Sequence, residues 1–208
     1  MAARAALDPQ TQNYRPVSRD DRKLFCGVLR YGSKCGYLLS VCKSPNESAT
    51  VLLRVMMPMD ANTAGNVFGG AILKLVEEAA WLSALKHAHC NLVTKCIERL
   101  DFLSPVYIGD VLRMNSCINY VGKTSMEIGV RVEAENPLTG EVRHTGTAFL
   151  TYVALGKDGK PQPIPPMKPI TDDEKRRWAD AETRKTTRIR EIQQERNENV
   201  QRPRENVI

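Results

Sequence analysis

Apolar and polar residues alternate from Ala49 onward. Val51, Leu53, Val55 and Met57 fall on one side of an extended segment that Pro58 and Asp60-Ala61-Asn62 bring to a turn, which predicts a first strand. After a loop ending in Gly69-Gly70, the stretch from Ala71 to His87 contains neither Gly nor Pro and is rich in Ala and Leu. It predicts a helix roughly 25 Å long at 1.5 Å per residue. Polar positions on it are few, so most of its circumference has to be enclosed by other elements. Four strand-like segments come next: Leu92 to Leu103, Asp110 to Val121, Thr124 to Ala134 and Val142 to Leu155. Turn sequences such as Val121-Gly122-Lys123 and Asn136-Pro137-Leu138-Thr139-Gly140 join them. Met126, Ile128, Val130 and Val132 mark a dry face, and Glu127, Gly129, Arg131 and Glu133 a wet one.

A strand, a long buried helix and four strands on short turns predict an α+β fold: an antiparallel meander of about five strands curling round a central helix, the hotdog arrangement. After Leu155 come Gly156-Lys157-Asp158-Gly159-Lys160 and a Pro-rich stretch from Pro161 to Pro169. Thr171-Asp172-Asp173-Glu174 is a capping box with acids at a helix start. The helix it opens is charged on nearly every side through Asn199, which predicts an exposed or weakly packed element with no chemistry of its own. The expected organisation is an N-terminal extension over 1–48, a hotdog domain over 49–160, and a Pro-rich linker with a charged C-terminal helix over 161–208.

Length and charge narrow the function. A chain of 208 residues holds one domain with tails. Of the net charge of +6, residues 1–47 carry +4, residues 48–170 carry +1 and residues 171–208 carry +1. The core is therefore nearly neutral, which argues against nucleic-acid binding. No apolar run approaches the roughly 20 residues of a membrane-spanning helix. The six cysteines form no CxxC pair, so free thiols are expected and no metal site. Asp8, Asp20 and Asp21 weaken a mitochondrial presequence, and residues 1–48 read as a poorly ordered tail with a targeting role left open. Neither a Walker loop nor a dinucleotide loop is present.

The candidate chemistry lies on and before the central helix. Glu78 sits one turn after Lys74 and pairs with it at the solvent edge. Glu77 instead has Leu73, Ala80 and Trp81 as helical neighbours, and a carboxylate on an apolar stripe requires a partner or a function. Gly65-Asn66-Val67-Phe68-Gly69-Gly70 leads directly into the helix, whose first free N–H groups suit an oxygen that becomes negative during attack on a thioester. Gly70 and Glu77 are seven residues, about 10 Å, apart on one helix. A symmetric dimer with antiparallel helices would bring Glu77 of one chain to the Asn66 and Gly70 region of the other. His87 and His89, at the helix end, read as a C-terminal cap.

Asp60-Ala61-Asn62, Ala64-Gly65-Asn66-Val67-Phe68-Gly69-Gly70 and Glu77-Glu78-Ala79 together resemble the acyl-CoA hydrolase branch of the hotdog superfamily. Asp101-Phe102-Leu103-Ser104-Pro105-Val106, Ile108-Gly109-Asp110, Lys123-Thr124-Ser125-Met126-Glu127-Ile128 and Phe149-Leu150-Thr151-Tyr152-Val153 extend the resemblance over about residues 50 to 180. It implies hydrolysis of fatty acyl-CoA, with coenzyme A as part of the substrate and no separate cofactor. Asn66, Glu77 and Gly70 are the implied catalytic residues, and Gly69, Phe68, Trp81, Lys123, Thr124 and Ser125 the implied substrate contacts. Lys123 reads equally as a solvated surface lysine. Glu77 stands where the family often has Asp, and this chain has one domain where vertebrate members have two. The resemblance also implies a homodimer, assembled as a trimer of dimers, and a cytoplasmic location with the mitochondrial matrix as the alternative. A hydratase acting on acyl-CoA and a noncatalytic acyl-CoA-binding scaffold remain the rival readings.

Overall fold

The computed structural model describes residues 42–201, with side chains through residue 198. Its elements are α1 (Pro45–Ser48), β1 (Thr50–Val55), a single 3-10 turn (Pro58–Asp60), α2 (Gly69–Ala88), β2 (Asn91–Phe102), β3 (Val111–Val121), β4 (Ser125–Glu135), β5 (Val142–Leu155) and α3 (Asp172–Gln201). The extension expected over residues 1–48 falls almost wholly outside the described residues. Its last part packs onto the domain: the Lys43 N–H donates to the Pro166 carbonyl, and Ser48 is buried against α2.

Helix α2 forms because its Ala- and Leu-rich sequence favours helix and because one stripe is apolar at helical spacing. Ile72, Leu75, Val76, Ala79, Ala80, Ser83 and Ala84 are buried along it. Its small side chains let the helix lie close to Leu112, Met114 and Ile118 of β3, Met126, Ile128, Val130 and Val132 of β4, and Ala148, Leu150 and Tyr152 of β5. Each large aliphatic side chain buried there contributes about 1.5–3 kcal/mol.

The five strands are antiparallel in the order β1-β3-β4-β5-β2. Only β3, β4 and β5 form the expected meander. Strand β2 does not pair with β3; it lies at the far edge against β5, from Asn91↔Leu155 to Phe102↔Gly146. Both edges of β3 are already taken by β1 and β4. The Leu103–Asp110 connection is also no hairpin turn: it carries Pro105 and is tied down by Val67 N–H to Val106 O and by Arg143 to Asp110 at 2.6 Å.

On β1, Val51, Leu53 and Val55 face away from α2. Thr50 instead turns towards the helix, its Oγ1 2.9 Å from Ser83 Oγ and 2.7 Å from Ser116 Oγ. Strand alternation then sends the odd-numbered residues outward.

Two expectations for the C-terminal half are corrected. The Pro-rich stretch is not a free linker but a packed strap, because Ile164 and Met167 are buried and the Ile164 N–H donates to Lys123 O. Helix α3 is not weakly packed. It covers the outer sheet face with Ala181 fully buried, Trp178 against Tyr120 at 4.6 Å between ring centroids, and Arg184 over the Phe149 ring at 3.9 Å. Arg184 also clasps Glu127 at 2.6 Å, and Arg188 pairs with Glu98, so Glu127, expected on a wet face, is buried. The capping box at its start is formed: Glu174 N–H donates to Thr171 Oγ1 at 3.2 Å and Thr171 N–H to Glu174 Oε2 at 2.9 Å.

Candidate active site

The loop before α2 is built around Asp60 and Asn62. Asp60 is buried and accepts from Arg54 Nη2 at 2.9 Å and from the Met57 N–H at 2.9 Å, while its carbonyl receives the Phe68 N–H at 2.7 Å. Asn62 Oδ1 accepts the N–H groups of Ala64 at 2.9 Å and Asn66 at 3.1 Å, an Asx turn that fixes its side chain. Because the oxygen is occupied by two donors, the amide nitrogen of Asn62 is oriented as the free donating end. Asn66 is held through its backbone, which bridges Tyr107 and gives its carbonyl to the Asn62 N–H.

Helix α2 starts at Gly69 with Phe68 in the cap position and no side-chain cap. The N–H groups of Gly69 and Gly70 therefore have no intrahelical acceptor and meet no other among the described residues. A methyl group on Gly70 would sit 2.4 Å from Cε1 of the exposed Phe68 ring. Only a residue without a side chain leaves that ring in place.

Glu77 lies two turns further on, half-buried. Thr94 Oγ1 donates to its Oε1 at 2.7 Å and the Tyr152 hydroxyl to the same oxygen at 3.1 Å. Thr94 and Tyr152 are directly opposite in the β2–β5 ladder, and the register shifts immediately after Thr94. Burial pushes the Tyr152 phenol well above its ordinary value, so it stays protonated and donates. Glu78 pairs with Lys74 at 3.8 Å in the solvent, as expected.

Within one protomer the sequence candidates fall into separate groups. Phe68, Gly69 and Gly70 are together at the start of α2 with Asn62 and Asn66 in the loop before it, and Glu77 is about 10 Å along the helix. Trp81 and Leu82 expose apolar surface one turn beyond Glu77, at 40% and 39%. Lys123 and Thr124 occupy the β3–β4 turn, Ser125 begins β4, and the three bond to none of the others; Lys123 O and Thr124 O serve the backbone of Ile164 and Ala154. His87 is not a helix cap. It is fully buried, with Nε2 2.9 Å from the Pro165 carbonyl and Nδ1 3.1 Å from Ser48 Oγ, and His89 takes the cap position with φ 49°. Sequence reasoning missed Asn62, Thr94 and Tyr152. In the sequence Asn62 is a turn residue and part of a family motif with no role of its own, although an Asn two residues before Ala64 and four before Asn66 is what an Asx turn needs. Nothing in a linear pattern brings strand residues 94 and 152 to helix residue 77. Among the described residues no group of three or more His, Cys, Asp or Glu could hold a metal ion, and no helix is long and apolar enough to cross a membrane.

Residues 64–141 match the Thioesterase superfamily family model. The chain is 37% identical over 128 residues to the uncharacterized acyl-CoA thioester hydrolase YkhA of Bacillus subtilis, a match covering 62% of this chain and 74% of that protein. The chain belongs to the thioesterase superfamily. Another relative is the human cytosolic acyl coenzyme A thioester hydrolase, 43% identical over 117 residues, which are 53% of this chain but 31% of that much longer protein. This thioesterase chain thus spans about a third of that human relative. Among solved structures, an apo-hexameric acyl-CoA thioesterase superposes with a TM-score of 0.70 at 39% identity over 73% of this chain and 98% of its own. The acyl-CoA hydrolase of Staphylococcus aureus, solved with butyryl coenzyme A, coenzyme A and coenzyme A disulfide, gives a TM-score of 0.70 at 30% identity over 77% of this chain and 98% of its own. Variants of that hydrolase replace an Asn, an Asp and a Thr by Ala, at positions 15 and then 17 residues apart.

Proposed function

We propose that this chain hydrolyses acyl-CoA thioesters at sites shared between two copies of itself. The observation that carries the reading is Glu77: a carboxylate held by two hydroxyls on a helix whose uncapped first amides are on the same element but out of its reach. Membership of the thioesterase superfamily and the resemblance to proteins named as acyl-CoA hydrolases support this chemistry over a hydratase or a binding scaffold. The hexameric neighbour supports pairing of protomers, with a trimer of dimers as the assembly. The cytosolic human relative supports a cytoplasmic location.

Glu77 acts as general base. It takes a proton from a water that attacks the thioester carbonyl carbon. The carbonyl oxygen becomes negative and is met by the Gly69 and Gly70 N–H groups of the partner protomer. The C–S bond then breaks, coenzyme A leaves as a thiolate, and the proton held by Glu77 passes to it or to solvent. The supporting asparagine is Asn62 in preference to Asn66. Asn62, Glu77 and Thr94 follow one another at 15 and 17 residues, the same intervals as the residues replaced in the S. aureus hydrolase, and the Asn62 side chain is the one whose donor is oriented. Lys123, Thr124 and Ser125 remain candidates for the coenzyme A phosphates.

The test is steady-state release of coenzyme A across short to long acyl-CoA substrates by Glu77→Gln, Asn62→Ala and Asn66→Ala proteins of wild-type assembly. Glu77→Gln and Asn62→Ala should each lose at least about tenfold in kcat, and Asn66→Ala clearly less. A Glu77→Gln enzyme within threefold of wild type would rule this mechanism out.

A further inference from the structure

Both hydroxyls that reach Glu77 choose the same oxygen. Thr94 and Tyr152 donate to Oε1, and the Tyr152 oxygen also stands 3.1 Å from the backbone carbonyl of Glu77. Oε2 makes no hydrogen bond among the described residues. Tyr152 itself has no exposed surface and sits in the sheet under α2. A buried phenol needs an acceptor, and the Glu77 carbonyl alone would provide one. Its additional contact with the carboxylate is what links the sheet to the candidate base.

We propose that Tyr152 is a positioning residue of the thioesterase site, which with Thr94 folds the Glu77 side chain back onto α2 and leaves Oε2 as the oxygen presented to the attacking water. The inference rests on Glu77 being the base. An oxygen that accepts two hydrogen bonds has little lone-pair density left for a water proton, whereas Oε2 keeps its own. Turning the carboxylate out of this orientation breaks both bonds, so the direction in which its second oxygen points is fixed. A glutamate is one methylene longer and has one more rotatable bond than the aspartate common in this family. The two hydroxyls take up that extra length and freedom by drawing the chain back towards its own backbone carbonyl. Positioning of this kind acts on turnover and not on the affinity for coenzyme A.

The experiment is a double-mutant cycle in the full-length, assembled protein with Tyr152→Phe, Glu77→Gln and both together, read as kcat and KM separately. Tyr152→Phe should lower kcat about tenfold with KM within about twofold. The same change in the Glu77→Gln background should have no further effect, because nothing is left to position. If Tyr152→Phe does not assemble, Tyr152→Met removes the same hydroxyl with a more adaptable side chain and is read in the same way. A kcat within twofold of wild type for the tyrosine variant, beside a Glu77→Gln enzyme slowed at least about tenfold, would overturn the positioning role and leave the base assignment standing. Equal losses from the tyrosine change with and without Glu77 would assign Tyr152 to packing alone, as would failure of both tyrosine variants to assemble. An active Glu77→Gln enzyme would remove the base and this inference with it.

Discussion

At Gly70 function and stability part company. The position is helical, so alanine is favoured there over glycine by up to about 1 kcal/mol. The added methyl would collide with the Phe68 ring at 2.4 Å, and that ring, 59% exposed, can swing away. Gly70→Ala is therefore expected to keep its melting temperature within about 4 °C of wild type. It should nevertheless lose at least about tenfold in kcat/KM, since both the ring and the approach to the helix amides are displaced. Calorimetry and steady-state kinetics on one preparation check both halves. A variant with unchanged kcat/KM would show that the start of α2 has no part in the reaction.

Helix α2 is joined at its C-terminal end to the chain segments on either side of the domain through His87. Burial holds this imidazole below its ordinary value, with Lys43 and His89 acting in the same direction and Pro165 O and Glu47 opposing. Lys43 Nζ also bonds to the His87 carbonyl at 2.8 Å. Because the unfolded chain takes up the proton first, the stability contributed by neutral His87 is present above about pH 6.5 and is lost as the pH falls towards the lowered folded value. Urea unfolding between pH 7.5 and 5 should show this loss, and His87→Gln should flatten it. An unchanged slope in the variant would mean that other groups carry the dependence. Helix α3 gives a second expectation at this scale. Arg184→Met leaves Glu127 buried with Asn119 as its remaining side-chain partner and should cost on the order of 2–4 kcal/mol. Adding Glu127→Gln should recover most of it, and strictly additive losses in denaturant would reject a coupled pair.

At the scale of the assembly, the proposed site takes Glu77 from one protomer and Asn62, Gly69 and Gly70 from the other. Co-expressing Glu77→Gln with Asn62→Ala chains then creates mixed dimers in which one site carries both changes and the other carries neither. Random pairing should restore roughly a quarter of wild-type activity from two inactive variants. Activity no higher than that of the separate variants would place both groups in one protomer. Trp81 and Leu82 expose apolar surface on the helix face beside Glu77, as an element meeting a second copy would.

The elements are legible in the linear pattern, because each carries a periodic signal that burial on one side imposes: period two in β4, where Met126 to Val132 face α2, and a helical stripe in α2. That pattern also marks Glu77 as the acid out of place, since its helical neighbours are apolar and Glu78 has Lys74 one turn before it, and the capping box at Thr171 to Glu174 is local chemistry. Relations between residues distant in the chain emerge only once the fold brings them together. Strand β2 moved to the far edge because both sides of β3 were occupied, and alternation cannot express which edge is free. Glu127 and the charges of α3 looked solvated because a linear pattern does not reveal that Arg184 and Arg188 meet buried carboxylates across a sheet. His87 looked like a cap until Ser48 and Pro165 closed around it. Thr94 and Tyr152 carry no signal of their own, since a hydroxyl on a strand gains its role from the carboxylate that the fold sets against it.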